Sequence, residues 1–282
     1  MATVAIIGAG DIGAATAHAL AAGDRVSRVL LVDEKASVAA GKALDIQQSG
    51  PVHGFHTRLE GTDDVSRATG CHVCVIADRF GRTPSEWQGD EGLAMLTRLA
   101  PLLGDAPIVC AGAAHAELVD YASREARIPR ARLIGSSPEA LASAIAAITA
   151  MEAHCSSVEV GVTVLGVPPK GFVVPWSEAS IGGYALERVL SQVQLGRIEA
   201  RVARLWPPGP YALGAAAARV VEAILHASRR SFSVLTPLGG EFGLRTGVSA
   251  LPAALGPRGI VHIRVPDLSP RERVQLDTAL GA

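Results

Sequence analysis

The 282-residue sequence lacks any long hydrophobic run. Its longest low-charge stretch, Ala140 to Met151, is interrupted by Ser143 and Thr149. It falls short of the roughly 20 apolar residues that cross a bilayer. Charge of one sign is missing too. The 26 Lys+Arg and 27 Asp+Glu leave a net charge of -1, so neither a basic field for nucleic acid nor an acidic solvating tail is present. The Arg-rich stretch Arg197 to Arg204 alternates with Ile, Val and Leu and contains Glu199, which reads as a solvated helix face. The start of the chain has no basic segment ahead of its short apolar run, so no secretory signal is read and a soluble, cytoplasmic protein is expected. Cysteine is scarce. Cys71, Cys74, Cys110 and Cys155 are too few for a disulfide framework at this length. Cys71-His-Val-Cys74 has metal-like spacing but runs into the strand-like Val73 to Ile76, where residues three apart point to opposite faces, and buried thiols are expected.

What is present is alternation. Short, nearly continuous apolar runs at Val4–Ile7, Val29–Val32, Val73–Ala77, Ile108–Ala111 and Leu133–Gly135 read as strands of a parallel sheet buried on both faces. Helical patterns separate them, from Gly13 to Ala22, Ala36 to Ser49, Gly92 to Leu103 and Glu117 to Ala126, the last closed by Pro129. This predicts an α/β, Rossmann-type doubly wound parallel sheet over residues 1–142. Residues 143–282 read as an α+β module. A long Ala-rich helix from Glu139 to Met151 leads in. Strands are expected at Val158–Leu165, Phe172–Val174, Phe232–Leu235, Ser249–Leu251 and Ile260–Val265, and helices at Tyr184–Leu205 and Ala212–Ser228. Ser269-Pro-Arg-Glu272 opens a last helix with an N-cap serine and a proline at the first helical position. No internal repeat or low-complexity tract is visible.

Gly8-Ala-Gly10-Asp11-Ile12-Gly13 follows the first strand and opens the first helix. In that context Gly8 permits the tight turn, Gly10 lets backbone approach a pyrophosphate, and Gly13 lets helix and strand pack closely. The helix start supplies free N–H groups and partial positive charge. Asp33 ends the second strand about 20 residues on, where a carboxylate accepts from a ribose diol and repels a 2′-phosphate, so the cofactor expected is NAD. The candidate cofactor-binding set is Gly8, Gly10, Asp11, Ile12, Gly13, Asp33 and Arg79.

The sequence resembles the lactate/malate dehydrogenase family. The resemblance rests on Ile6-Ile-Gly-Ala-Gly-Asp-Ile-Gly13, Leu30-Leu-Val-Asp33, Gly41-Lys-Ala-Leu-Asp-Ile46, Gly61-Thr-Asp-Asp64, Arg132-Leu-Ile-Gly-Ser136, Val174-Pro-Trp-Ser177, Val221-Glu-Ala-Ile-Leu225 and Glu241-Phe-Gly-Leu244. It implies an oxidoreductase fold with an NAD domain and a C-terminal lactate/malate dehydrogenase-like domain, assembled as a homo-oligomer (dimer or tetramer) and acting on a small-molecule anion. Family chemistry uses a histidine to exchange the alcohol proton, an aspartate to orient it, and an arginine that forks onto the substrate carboxylate. By that resemblance the histidine belongs at Pro168, with Pro169 and Lys170 at the following glycine and acid. The aspartate and arginine belong at Leu141 and Ala144. The segment that meets nicotinamide and substrate becomes Ala113-Ala-His-Ala116.

With acid, base and anion clamp replaced by apolar residues, the expectation is a family member without ordinary 2-hydroxy acid dehydrogenase catalysis. Such a pseudoenzyme would act as a sensor or subunit partner. The alternative is an active NAD-dependent oxidoreductase with a relocated acid/base and another substrate. The candidates for that role are His115 and the loop arginine Arg82, from Gly81-Arg82-Thr-Pro84. Where the family has Thr-Ala-Gly before this loop, the chain has Ala77-Asp78-Arg79. Arg79 either clashes with a bound dinucleotide or hydrogen-bonds its pyrophosphate, and Asp78 reads as its local ion-pair partner. Lys170, beside two prolines, reads as a solvated loop residue. His53 and His56 read as surface histidines, and no metal site is expected. Ser136-Ser137 lacks a nucleophile-elbow context.

Overall fold

The computed structural model describes residues 2–169 and 171–281. Strand β1 (Thr3–Ile7) leads through the glycine turn into helix α1 (Asp11–Gly23). Then come β2 (Arg28–Val32), α2 (Ala36–Gln48), the short α3 (Gly50–His53), β3 (Arg58–Thr62), β4 (Val73–Ile76), α4 (Gly89–Leu103), β5 (Ile108–Cys110), α5 (Ala116–Arg124), β6 (Leu133–Gly135) and α6 (Ser137–Ala153). The second half carries β7 (Val160–Gly161), β8 (Leu165–Val167), β9 (Gly171–Val173), β10 (Ser180–Ile181), β11 (Tyr184–Ala185), α7 (Leu186–Val189), α8 (Gln192–Val202) and α9 (Pro210–Leu225). It ends with β12 (Ser231–Pro237), β13 (Val248–Gly256), β14 (Gly259–Ile263) and α10 (Pro270–Leu280).

The main sheet runs β3-β2-β1-β4-β5-β6-β12-β13-β8-β9, with β14 on β13. Its first six strands are parallel. The order doubles back between β1 and β4, which is the switch point of a doubly wound sheet. Alternation along each strand supplies two cores. Val4, Ile6, Val29, Leu31, Val73 and Val75 face one side, packed with Ala17 and Leu20 of α1 and Ala217 and Val221 of α9. Ala5, Ile7, Leu30, Val32, Cys74 and Ile76 face the other, packed with Leu96 and Leu99 of α4 and Leu118 of α5. Both faces are dry, so the strands carry continuous apolar runs.

The halves share this sheet. β12 joins β6 antiparallel, pairing Leu235 with Gly135, and residue 142 lies inside α6 rather than in a linker.

Several elements differ from expectation. β3 carries a single buried apolar residue, Leu59. It is an edge strand held by its parallel ladder to β2 rather than by an apolar pattern. The segment from Tyr184 to Leu205 is not one helix. It begins as strand β11, turns through α7, and restarts at Ser191, where a capping box with Gln194 opens α8. The run Val158–Leu165 is not one strand either. Val158 is exposed, a 3₁₀ turn spans Ser157–Glu159, and only Val160–Gly161 pairs before β8 begins at Leu165. Cys71 precedes β4, so strand alternation does not reach it, and it joins Cys74 and Cys110 in the same core. Burial raises all three thiols, Cys71 to about 11 and Cys110 to about 12.

α10 is tied down by one buried carboxylate. Ser177 Oγ donates to Glu272 Oε2 at 2.6 Å and its N–H to Oε1 at 3.1 Å. Ser269 donates to the same carboxylate and accepts from the Glu272 N–H, completing a capping box. Burial opposes ionisation of Glu272, but these hydrogen bonds outweigh it and hold the carboxyl below its ordinary range. Leu276, one turn on, is fully buried among Leu165, Val173 and Leu251. Glu272→Ala is expected to cost about 1–3 kcal/mol in urea unfolding, and Ser177→Ala about 1 kcal/mol. A change below about 0.5 kcal/mol for Glu272→Ala would show that the carboxylate does not anchor the helix.

Candidate functional site

The crevice at the switch point is formed by the carboxyl ends of β1 and β4. Gly8 leaves β1 with φ +112° and Gly10 precedes the first turn of α1. The first turn presents the N–H groups of Asp11, Ile12 and Gly13, which no intrahelical carbonyl can take. All three are already bound. Asp11 N donates to Asp78 Oδ2 at 2.9 Å, and Ile12 N and Gly13 N donate to Asp78 Oδ1 at 2.9 and 3.0 Å. Gly10 N donates to the Asp78 carbonyl at 2.8 Å. The Asp78 carboxylate is 6% exposed. A Cβ at Gly10 would lie 2.3 Å from Asp78 Cγ, and one at Gly8 would lie 2.4 Å from the Asp78 carbonyl oxygen. The absent side chains therefore make room for Asp78.

The acid at the end of β2 is engaged as well. Asp33 is 5% exposed. Its Oδ2 accepts from Ala9 N at 2.8 Å and from Phe80 N at 3.2 Å, and its Oδ1 accepts from Lys35 N at 3.2 Å. The Phe80 ring lies outside, with Lys35 Nζ and Lys42 Nζ 5.2 and 5.3 Å from its centroid. Lys42 also donates to the Gly10 carbonyl at 3.0 Å. The Asp11 side chain points to solvent, 82% exposed and 3.7 Å from Lys42. Ile12 is buried in the core behind the turn.

The Arg79 side chain turns away from Asp78. Its guanidinium stacks on Trp87, 4.2 Å from the ring centroid, and Nη1 meets Glu91 Oε1 at 2.9 Å. Its backbone N–H donates to Ser85 O, and Asp78 and Glu86 form a bridge across the small loop. The expected Asp78–Arg79 ion pair is therefore replaced by two separate attachments. Successive residues leaving a strand point to opposite sides, which sends Asp78 into the crevice and Arg79 towards α4. Arg82 sits on the surface, with Nε donating to Glu34 Oε2 at 3.0 Å.

His115 is fully buried at the N-cap of α5. Its Nδ1 accepts from Gly112 N at 3.0 Å, which leaves the proton on Nε2, 4.0 Å from Glu86 Oε2. Glu86 accepts from Ala114 N at 2.7 Å. Burial pushes the His115 ring down to about 3, and burial raises the Glu86 carboxyl. The ring is neutral at physiological pH.

Pro168 is buried, and with Ala113, Ala114, Gln88, Glu117 and Leu238 it lines a cavity of about 440 Å³. Among the described residues no imidazole or guanidinium lines it. Leu141 is fully buried, packed with Ile145, Val164 and Val174, and Ala144 is half-buried one turn on. Lys170 lies outside the described residues. His53 and His56 are exposed; His53 meets the His18 ring edge-on and His56 Nδ1 lies 3.3 Å from Asp24. Among the described residues no group of three or more His, Cys, Asp or Glu is placed to hold a metal. No described helix is long and apolar enough to cross a membrane.

The crevice at the switch point of a doubly wound sheet defines a dinucleotide-binding type of fold, and the comparisons narrow it. Residues 2–90 match the model of the lactate/malate dehydrogenase NAD binding domain. The chain is 30% identical to a malate dehydrogenase of Thioalkalivibrio sulfidiphilus, over 100% of this chain and 97% of that protein. It is 28% identical to a malate dehydrogenase of Salinibacter ruber, over 99% and 93%. The solved structure of malate dehydrogenase from Salinibacter ruber superposes with a TM-score of 0.89 at 27% identity, covering 99% of this chain and 94% of that one. A lactate dehydrogenase of Cryptosporidium parvum, complexed with lactic acid and nicotinamide adenine dinucleotide, shares the fold at a TM-score of 0.88 and 22% identity. The chain belongs to the lactate/malate dehydrogenase family, and its N-terminal part is that family's NAD domain.

NAD is the cofactor of that domain, and the glycine turn and Asp33 are the residues suited to it. The arrangement described here does not fit its pyrophosphate, because the three helix-start N–H groups already hold Asp78. Sequence reasoning singled out Asp78 only as a partner for Arg79. The available signal was an acid in place of the family's small residue, directly after a strand that ends opposite the glycine turn. The part played by Glu86 was not anticipated, since its approach to His115 depends on how the loop folds.

His115 generates a pH dependence. An unfolded histidine protonates near 6.5, whereas the buried ring does so near 3. Between those values the unfolded chain binds a proton that the folded chain does not. This contribution to stability is whole above about 6.5 and is lost as pH falls, by up to about 1.4 kcal/mol per pH unit. His115→Gln should remove it. Urea unfolding at pH 6.5 and pH 5 should show the wild type losing about 2 kcal/mol more than the variant. Identical losses would mean that the imidazole is not held neutral.

Proposed function

We propose that this member of the lactate/malate dehydrogenase family does not carry out ordinary 2-hydroxy acid dehydrogenation and acts instead as a sensor or subunit partner built on the family's NAD domain. The observation that carries this reading is the 440 Å³ cavity beside Pro168, which among the described residues has no imidazole and no guanidinium in its wall. A 2-oxo acid there would meet the carboxylates of Glu117 and Asp120 in the cavity wall. Loss of a general acid/base alone removes about 10²–10⁴ in rate. Loss of the carboxylate clamp also removes orientation of the substrate. Fully buried Leu141 supports the same reading, because a titratable aspartate at that position is exchanged for core packing of about 1.5–3 kcal/mol. The functional division into residues 1–142 and 143–282, a homo-oligomeric state, an anionic ligand and a cytoplasmic location belong to this proposal.

A second reading has its own support. The relatives that match along the whole chain are named malate dehydrogenases, which favours an active NAD-dependent oxidoreductase with another substrate. His115, with Glu86 beside it, would then be the relocated acid/base and Arg82 the anion contact. Both would have to leave the partners described above.

The two readings separate in one assay. Purified protein given NADH and a panel of 2-oxo acids that includes oxaloacetate and pyruvate is expected to show no turnover above background. Pro168→His is expected to stay inactive, because neither an orienting carboxylate nor a guanidinium is restored at Leu141 and Ala144. Robust turnover by the wild type that is abolished in His115→Ala would replace the first reading with the second.

A further inference from the structure

We propose that Asp78 is a built-in competitor for the dinucleotide: its carboxylate takes the place of the pyrophosphate on the first turn of α1 and sets how tightly this domain binds NAD. The inference goes beyond the loss of catalysis and does not rest on it.

The seat is complete in every respect except vacancy. A glycine turn after β1 aims the amides of Asp11, Ile12 and Gly13 at one point, and the helix adds partial positive charge there. A pyrophosphate bound at such a turn takes these amides as its donors. Asp78 takes all three at 2.9–3.0 Å, and its main-chain carbonyl takes Gly10 N. Each amide carries one hydrogen, so carboxylate and phosphate cannot be held together. Their charges also repel at that distance. Room is exhausted as well, because the volume left by the missing side chain of Gly10 is filled by the Asp78 carboxylate.

The same segment closes the ribose end. Phe80 N donates to Asp33, and the Phe80 ring lies under Lys35 and Lys42. Between them Arg79 acts as the anchor, nearly buried, stacked on Trp87 and paired with Glu91. Residues 78–80 therefore cover both ends of the site with contacts that would have to break before a dinucleotide entered. NAD binding carries the cost of displacing Asp78, and its affinity is lowered by that competition.

The test compares wild type, Asp78→Ala and Asp78→Asn, with NADH, ADP-ribose and inorganic pyrophosphate as probes. Binding is read by NADH fluorescence and by calorimetry, and folding by thermal melts. Asp78→Ala should bind NADH and ADP-ribose at least tenfold more tightly than wild type. Asp78→Asn, which keeps size and loses charge, should fall between. Without ligand, Asp78→Ala should melt several degrees lower, since α1 loses its acceptor. Pyrophosphate or ADP-ribose should return that loss to the variant while moving the wild-type melt much less. If Asp78→Ala does not fold, the Asp78→Asn comparison decides alone. Affinities equal to wild type in the variants that fold would overturn the proposal, as would wild-type binding that the substitutions weaken. Turnover of a 2-oxo acid by wild type would sink the catalytic reading and leave this one standing. Unchanged affinity with no turnover would do the reverse.

Discussion

A parallel strand that turns sharply into a helix leaves the first amides of that helix without carbonyl partners and sums their dipoles at one end. Such a group, enclosed in a domain, has to find an acceptor, because an unmade hydrogen bond there costs about 1–3 kcal/mol. In this chain the acceptor is the Asp78 carboxylate, delivered by the neighbouring strand β4. Asp33 is then met by Phe80, Arg79 is turned back onto Trp87, and the small 78–88 loop folds over the crevice. One carboxylate thus organises the turn, the end of β2 and the loop together.

The second half of the site follows a different logic. Where the family resemblance would place buried polar catalysts, this chain has groups that need no partner. Leu141 packs into the core between α6 and the strands behind it, and Pro168 borders a cavity whose wall is mostly apolar with acidic residues at its edge. A buried charge kept without its partner destabilises a domain, while an apolar replacement of similar size costs little or stabilises it. The backbone superposes on a malate dehydrogenase at a TM-score of 0.89.

Much of the architecture was legible in the sequence because its physics is local. A strand buried on both faces shows a continuous apolar run, and β1, β2, β4, β5 and β6 all do. Edge strand β3 has no such signature, because its partner is a backbone ladder. The break between β11 and α8 was hidden by residues that suit a helix throughout, with Ser191 the one overlooked stop and start. The glycine turn and the acid Asp33 at the end of β2 were likewise readable, each from a short motif.

The amino-acid sequence by itself determined that a phosphate-type turn would form, since that depends on glycines at fixed spacing after a strand. Only the tertiary structure decided what occupies the turn. Asp11 and Asp78 are the same residue type and lie on either side of the same crevice, yet one faces water and the other caps the helix. That difference comes from the parallel pairing of β1 with β4, which brings residues 67 positions apart to 2.9 Å and points a single side chain into the space the glycines leave. Long-range register of this kind is a property of the assembled sheet, and no window of sequence contains it.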